Sequence, residues 1–183
     1  MADRMPAEIQ IGGKIRRSVA EALCSVVADA GGSLDWGEAQ FQPETTDDLL
    51  SARSDDEGPH ILKLYDDQAR WGEFATLETF LREQGIPYRR YTDGKFDYDP
   101  EIEAFHPDCG LVEWFTDHNR HPVVQASELA TIADRLAAVL AAMEHSKSQD
   151  VAARRDLRRI HDAIRQDLLP NLPALESFEI IDA

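Results

Sequence analysis

The chain has 183 residues, of which 43% are hydrophobic and 30% are charged, and this composition is typical of one folded domain with a modest appendage. Its 19 basic and 35 acidic residues give a net charge of −16, which disfavours direct binding to nucleic acid or to an anionic membrane. No apolar run approaches the roughly 20 residues that span a bilayer, and the N-terminal residues lack the apolar region of a signal peptide, so we expect a cytoplasmic protein.

The first third of the chain predicts a strand, a helix and a second strand. Residues 8–11 alternate between polar and apolar side chains, and a glycine pair at 12–13 ends this strand. Apolar side chains recur at helical spacing from Ile15 to Ala30, and the glycine pair 31–32 marks the helix end. A second strand is predicted at 33–36, followed by a short N-capped helix within 43–50 and a loop at 54–59.

The middle of the chain predicts a strand, a helix and an antiparallel meander. The strand is residues 60–65, and the amphipathic helix is residues 72–84, which Gly85 ends. Residues 88–92 and 95–99 flank Asp93-Gly94, which is a typical two-residue hairpin turn. Further strands are predicted at 102–105 and 111–115, before a polar turn at 116–121.

The C-terminal region predicts two helices that fold back on each other. Ser127 caps a helix that continues to Met143, and a second helix covers 151–169. A final strand is predicted at 178–181. The fold class is therefore α+β: a ferredoxin-like (split βαβ) antiparallel sheet with added strands and a C-terminal αα-hairpin. We predict an acidic domain at 1–125, the helical hairpin packed on it at 126–170, and a tail at 171–183.

Charge is distributed unevenly along the chain. Residues 44–117 contain 19 acidic and 7 basic side chains, whereas residues 147–165 contain 6 basic and 3 acidic ones. One interpretation is solubility combined with pairing inside the molecule. The other is an acidic face that docks on a basic partner protein.

The segment after residue 87 supplies candidate partner-binding residues, because aromatic side chains anchor many protein interfaces and carboxylates complement a basic surface. The candidates are Tyr91, Asp97, Tyr98, Asp99, Glu101 and Glu103. The alternative for the aromatic side chains is packing in the core. With no complete catalytic motif in the sequence, we favour a non-enzymatic interaction module, such as an inhibitor or immunity-type protein, and the excess of arginine over lysine suggests a bacterial source.

Two closely spaced pairs of metal-ligand residues are the best candidate for a cofactor site. These are His106 and Cys109, then His118 and His121, and tetrahedral zinc prefers such nitrogen and sulfur donors. The alternative is a set of exposed turn residues, with no cofactor bound. A small metal-dependent enzyme or zinc-binding protein is therefore the second hypothesis for function.

Other features carry weaker hypotheses. Asp66 and Asp67 follow a predicted strand, where carboxylates can serve acid/base or divalent-metal chemistry, and Gly12-Gly13-Lys14 lies where a helix N-terminus can hold a phosphate. Four arginines at 154, 155, 158 and 159 form a basic stripe on one helix. The third hypothesis for function is a structural subunit of a homo-oligomer, although the sequence leaves the oligomeric state open.

Overall fold

The computed structural model describes residues 3–54, 58–95, 98–145, 151–164 and 173–182. The chain divides into two compact units: unit 1 is formed by residues 1–122 together with 172–183, and unit 2 is formed by residues 123–171. Among the described residues, no helix combines the length and the apolar character needed to cross a membrane.

Unit 1 is an α+β structure. Its elements in chain order are β1 (Arg4–Ile11), β2 (Lys14–Arg16), α1 (Arg17–Ala30), α2 (Thr46–Ser51), β3 (Leu62–Arg70), α3 (Ala75–Gln84), β4 (Tyr88–Thr92), β5 (Glu101–His106), β6 (Gly110–Phe115) and β7 (Glu179–Ile181). Five strands form one sheet in the order β3-β1-β4-β5-β6, and every neighbouring pair is antiparallel. Strands β3 and β4 therefore flank β1 and run in the same direction, with α3 between them in sequence.

The α+β class and the antiparallel sheet are confirmed, but the specific ferredoxin-like topology is not. The strand predicted at 33–36 is replaced by a loop, in which Ser33 makes single bridges to Gln40 and Tyr65. A serine hydroxyl explains part of this difference, because Ser33 Oγ donates to the carbonyl of Asp35 at 2.7 Å, with the carbonyl of Tyr65 also within 3.1 Å, and so favours a turn.

The meander predicted for the middle of the chain is confirmed, but its first hairpin has a different second arm. Strand β4 pairs with β5, at residues 101–106, and not with the described residues of the predicted second arm, which are 95, 98 and 99. Lys95 and Tyr98 exchange both backbone hydrogen bonds with each other, at 3.0 and 3.1 Å. This tight turn occupies backbone groups that a hairpin with β4 would need.

The core of unit 1 lies between the helices and one face of the sheet. On α1 the buried side chains Ala20, Leu23, Cys24 and Val27 follow helical spacing, and α1 ends at Gly31 in the left-handed conformation. These side chains share one cluster with Ile9 and Ile11 of β1 and with Leu77 and Leu81 of α3. We call this side of the sheet the helix-covered face.

The predicted C-terminal strand is present as β7, which pairs in parallel with β2. The backbone N–H of Phe178 donates to the carbonyl of His60 at 2.8 Å, and that of Glu179 donates to the carbonyl of Gly13 at 3.0 Å. The Phe178 side chain is fully buried in the core cluster. The C-terminal segment is therefore an integral part of unit 1.

Unit 2 contains α4 (Ala126–His145) and α5 (Val151–Ala163), which contact each other as the helical spacing predicts. Along α4, four large apolar side chains remain exposed by 38 to 52%: Leu129, Leu136, Leu140 and Met143. Their spacing resembles one seam of a coiled coil. Residues 146–150 and 165–169, which the sequence places in the connection and at the end of the second helix, lie outside the described ranges.

Candidate functional site

A buried arginine organises the helix-covered face near β4 and β5. Arg90 lies opposite Ile9 of β1 and Glu103 of β5, which directs its side chain towards α3. Only 3% of this side chain is exposed, and it lies 3.0 Å from Glu78, 2.9 Å from Glu101 and 3.4 Å from Glu103. The contact between Arg90 Nε and Glu78 Oε1 is an ion pair without a hydrogen bond, because the angle at the hydrogen is unfavourable.

The network continues from Glu103 to α3. Tyr88 donates its hydroxyl hydrogen to Glu103 Oε1 at 2.5 Å. The Arg82 guanidinium donates to the Tyr88 hydroxyl at 2.7 Å and to Glu103 Oε1 at 3.2 Å. Glu103 is thus bound by three side chains of its own unit, and β5 is fixed to α3 through charge-assisted hydrogen bonds.

Burial changes the ionisation of these groups. Burial raises the pKa of Glu78 from 4.5 to about 7, although the nearby Arg90 opposes this shift. Burial and the hydrogen bond to Glu103 raise the pKa of Tyr88. Burial alone would lower the pKa of Arg90, but the surrounding carboxylates reverse this effect and raise it, so Arg90 remains a cation.

A turn with left-handed backbone leads from β3 into α3. Trp71 has φ +61° and Gly72 has φ +69°. Positive φ is uncommon for a bulky residue such as tryptophan, whereas Gly72 is the required residue at its position, since a Cβ there would lie 2.3 Å from Thr92 Cγ2. The Gly72 carbonyl accepts from Arg90 at 3.0 Å and from the Thr92 hydroxyl at 2.9 Å, which fixes the turn to β4.

This turn places Trp71 in the wall of a surface pocket on the helix-covered face. The pocket has a volume of about 390 Å³ and is lined by the aromatic side chains Trp71, Tyr98 and Phe115, the carboxylates Glu73, Asp99 and Glu101, and also Met5 and Thr92. The Trp71 and Tyr98 rings meet edge to face with centroids 6.0 Å apart. We name this site the aromatic–carboxylate pocket.

The structure separates those predicted partner-binding residues that it describes into three groups. Tyr98, Asp99 and Glu101 line the aromatic–carboxylate pocket. Glu103 is only 7% exposed and belongs to the Arg90 network, so its role here is structural. Tyr91 lies on the opposite face of the sheet, and Asp97 lies outside the described residues.

On that opposite face, Tyr91 takes part in a second cation contact. The Arg120 guanidinium lies 4.6 Å from the centroid of the Tyr91 ring, and its NH1 is 2.6 Å from Glu8 Oε2 on β1. Arg120 reaches this position from the loop after β6 with a left-handed backbone, φ +64°. Tyr91 therefore already packs against a cation of its own chain.

The four predicted metal ligands lie at the two ends of β6. His106 and Cys109 are at the β5–β6 turn, whereas His118 and His121 are in the loop that follows β6. His106 Nδ1 accepts from the backbone N–H of Asp108 at 3.2 Å, and His121 Nδ1 lies 3.1 Å from Asp117 Oδ2. Among the described residues, no group of three or more His, Cys, Asp or Glu side chains is arranged to hold a metal ion, and zinc binding stays a prediction.

The remaining sequence candidates are placed as follows. Strand β3 continues to Arg70, so Asp66 and Asp67 lie within the strand and not after its end, and Asp66 Oδ1 accepts from the backbone N–H of Gln68 at 2.8 Å. The N–H groups of Gly12 and Gly13 donate to the carbonyls of Pro87 and Glu176, at 3.2 and 3.0 Å, so these two donors are already used. The arginine stripe lies on α5, where Arg159 NH1 and Arg155 Nε lie 3.7 and 4.0 Å from Asp156 Oδ1.

Sequence reasoning missed Trp71, Glu73 and Phe115 as site residues. The Trp-Gly pair before a helix was a usable signal, because glycine there accepts a left-handed backbone that turns the preceding side chain outwards. Phe115 shares one strand face with Leu111 and Glu113, which the alternation of β6 indicates. The approach of Trp71 to Tyr98 depends on the sheet register, which no local pattern provides.

Comparisons with known protein families, with curated proteins and with solved structures gave no match to this chain.

Proposed function

We propose that the protein is a non-enzymatic interaction module, of the inhibitor or immunity type, whose acidic surface docks on a basic partner protein. The aromatic–carboxylate pocket is the observation that carries this proposal. Exposed aromatic rings supply the anchors typical of a binding hot spot, and the carboxylates beside them complement the charge of a basic surface.

The charge of the surrounding chain also favours docking on a basic partner. Residues 44–117, which include every pocket residue except Met5, contain 19 acidic against 7 basic side chains. Two of those basic side chains, Arg82 and Arg90, are bound to carboxylates of the internal network. A field of this sign accelerates association with a basic partner and weakens as salt increases.

A charge-matched pair of variants tests the proposal. The pocket variant combines Glu73→Gln, Asp99→Asn and Glu101→Gln. The control variant combines Glu21→Gln, Asp29→Asn and Glu38→Gln, which removes the same charge from exposed positions of α1 and the following loop. Both variants keep the volume of each side chain, so a difference between them reports position and not net charge.

The experiment is affinity capture from host lysate at low salt, followed by kinetics with each captured protein after purification. We expect basic proteins that are released at about 0.5 M salt, where the Debye length is roughly 4 Å. Association should slow by about 10-fold for the pocket variant and by less than about 2-fold for the control. Binding that ignores salt and is equal for all three proteins would contradict the proposal.

A second candidate function is a structural subunit of a homo-oligomer, which the exposed apolar side chains of α4 favour. Leu129, Leu136 and Met143 recur at seven-residue spacing, as in a helix that pairs with another copy. Sedimentation equilibrium of the wild-type protein and of Leu136→Asp would test this. We expect the wild type to be a dimer and the variant a monomer, whereas a monomeric wild type would rule the candidate out.

A further inference from the structure

We propose that the aromatic–carboxylate pocket receives a single arginine side chain of the basic partner, with its guanidinium stacked on Trp71 and paired with Asp99 and Glu101. This inference rests on the proposed function and specifies which chemical group anchors it.

The size and lining of the pocket fit one side chain. Its volume of about 390 Å³ lies near the lower end of the range typical of ligand pockets, which suits a single group better than a folded peptide. Trp71, Tyr98 and Phe115 are 38, 44 and 46% exposed. Three large rings at one site, each more than a third exposed, supply apolar contact area that solvent now covers.

The carboxylates of the pocket supply charge complementarity. Glu73 and Asp99 are exposed, and Glu101 keeps 38% of its side chain exposed. Glu101 Oε1 accepts from Arg90 NH1 at 2.9 Å, which fixes the orientation of this carboxylate from beneath. Because Arg90 is shared with Glu78 and Glu103, it compensates only part of the negative charge at the site.

These features favour arginine over lysine. A guanidinium is planar and weakly hydrated, so it can stack on an indole while its fork of N–H groups donates to carboxylates. An ammonium group is a compact, strongly hydrated point charge, so it loses more hydration on entering the pocket and offers no planar fork to the carboxylates. The same combination of contacts occurs on the opposite face of the sheet, where the Arg120 guanidinium lies 4.6 Å from the centroid of the Tyr91 ring while it pairs with Glu8.

The test is a titration of the full-length protein, labelled with ¹⁵N, with three short Gly-Ser peptides. One peptide carries a single arginine, the second a single lysine, and the third citrulline, which has the shape of arginine without its charge. The indole N–H signal of Trp71 is assigned with Trp71→Gly, since glycine tolerates the left-handed backbone at this position. Trp36→Ala is the matched control, because Trp36 is 40% exposed and packs against Tyr65 in a different part of unit 1.

We expect the arginine peptide to bind about 10-fold more tightly than the lysine peptide, and the citrulline peptide to cause no shift of the Trp71 signal. Trp71→Gly should weaken arginine binding by about 10-fold, whereas Trp36→Ala should change it by less than about 2-fold. Thermal unfolding of both variants confirms that each is folded under the conditions of the titration.

The possible results separate this inference from the proposed function. Equal binding of arginine and lysine, unaffected by Trp71→Gly, would overturn the arginine pocket while salt-sensitive capture of basic proteins still supports docking. No binding of any peptide would also overturn the pocket. Arginine binding at Trp71, combined with no capture of a basic protein, would support the pocket and overturn the docking function.

Discussion

The substitution Glu78→Gln measures how much a buried carboxylate in the Arg90 network lowers the free energy of unfolding. The pKa of Glu78 rises from 4.5 to about 7 on folding, mainly because of burial. Between these values the folded protein binds more protons at this residue than the unfolded chain does, so the stability that Glu78 contributes falls as pH rises. Integrated from pH 5 to pH 8, this loss is about 2.5 kcal/mol. In the wild type, Glu78 Oε1 accepts a hydrogen bond from the backbone N–H of Phe74 at 2.9 Å. Glutamine stays neutral, and its side-chain carbonyl can accept the same hydrogen bond.

The assay is urea unfolding of the wild type, Glu78→Gln and the control Glu83→Gln at several pH values from 5 to 8. We expect the variant to gain about 2.5 kcal/mol relative to the wild type across this range. Glu83→Gln removes the same charge from an exposed position on α3 and should follow the wild-type curve. Parallel curves for the wild type and Glu78→Gln, within about 0.5 kcal/mol, would refute the assignment of a protonated Glu78 to the folded state at low pH.

Three further substitutions test other parts of unit 1 by denaturant unfolding. Arg90→Met leaves buried Glu78 without its cation and removes one of the two cations of Glu103, and it should cost about 3 to 5 kcal/mol at pH 8; a cost near zero would contradict the network. Gly72→Ala should cost more than about 3 kcal/mol, because the new Cβ meets Thr92 at 2.3 Å, whereas Gly85→Ala, with a similar φ but open space, should cost only about 1 kcal/mol. Arg120→Met keeps an unbranched side chain, shorter than that of arginine, but removes an ion pair to a buried carboxylate of β1. The expected loss is about 1 to 3 kcal/mol, which the equivalent change at an exposed arginine would not reproduce.

Helices and most strands of unit 1 were predictable because their signals are local. The apolar spacing of α1, with Gly31 at its end, and the apolar alternation of β1 are sufficient to predict both elements. The sequence predicts residues 95–99 as the second arm of a hairpin, because Asp93-Gly94 is a strong hairpin signal. Tyr98 instead closes a tight turn with Lys95, and the choice between these two pairings depends on the strand that follows.

The candidate site was predictable only in part. Tyr98, Asp99 and Glu101 were selected for their residue types, and the structure places them around one pocket. Glu103 was selected on the same grounds, but the alternation of β5 places it beside Arg90 on the helix-covered face. A carboxylate on a strand can be assigned to solvent or to an ion pair only after its neighbours across the sheet and on the covering helix are known.

Unit 1 is discontinuous in the sequence, and this has a consequence for its biosynthesis. All of the large sheet is translated before the helical residues of unit 2, but the fully buried side chain of Phe178 is translated after them. While residue 178 is still inside the ribosome, the growing chain has the sheet without this part of its core. Unit 1 therefore completes its core only after residue 178 has emerged, and chains arrested before that point should be more sensitive to protease than chains in which the segment is free to pack.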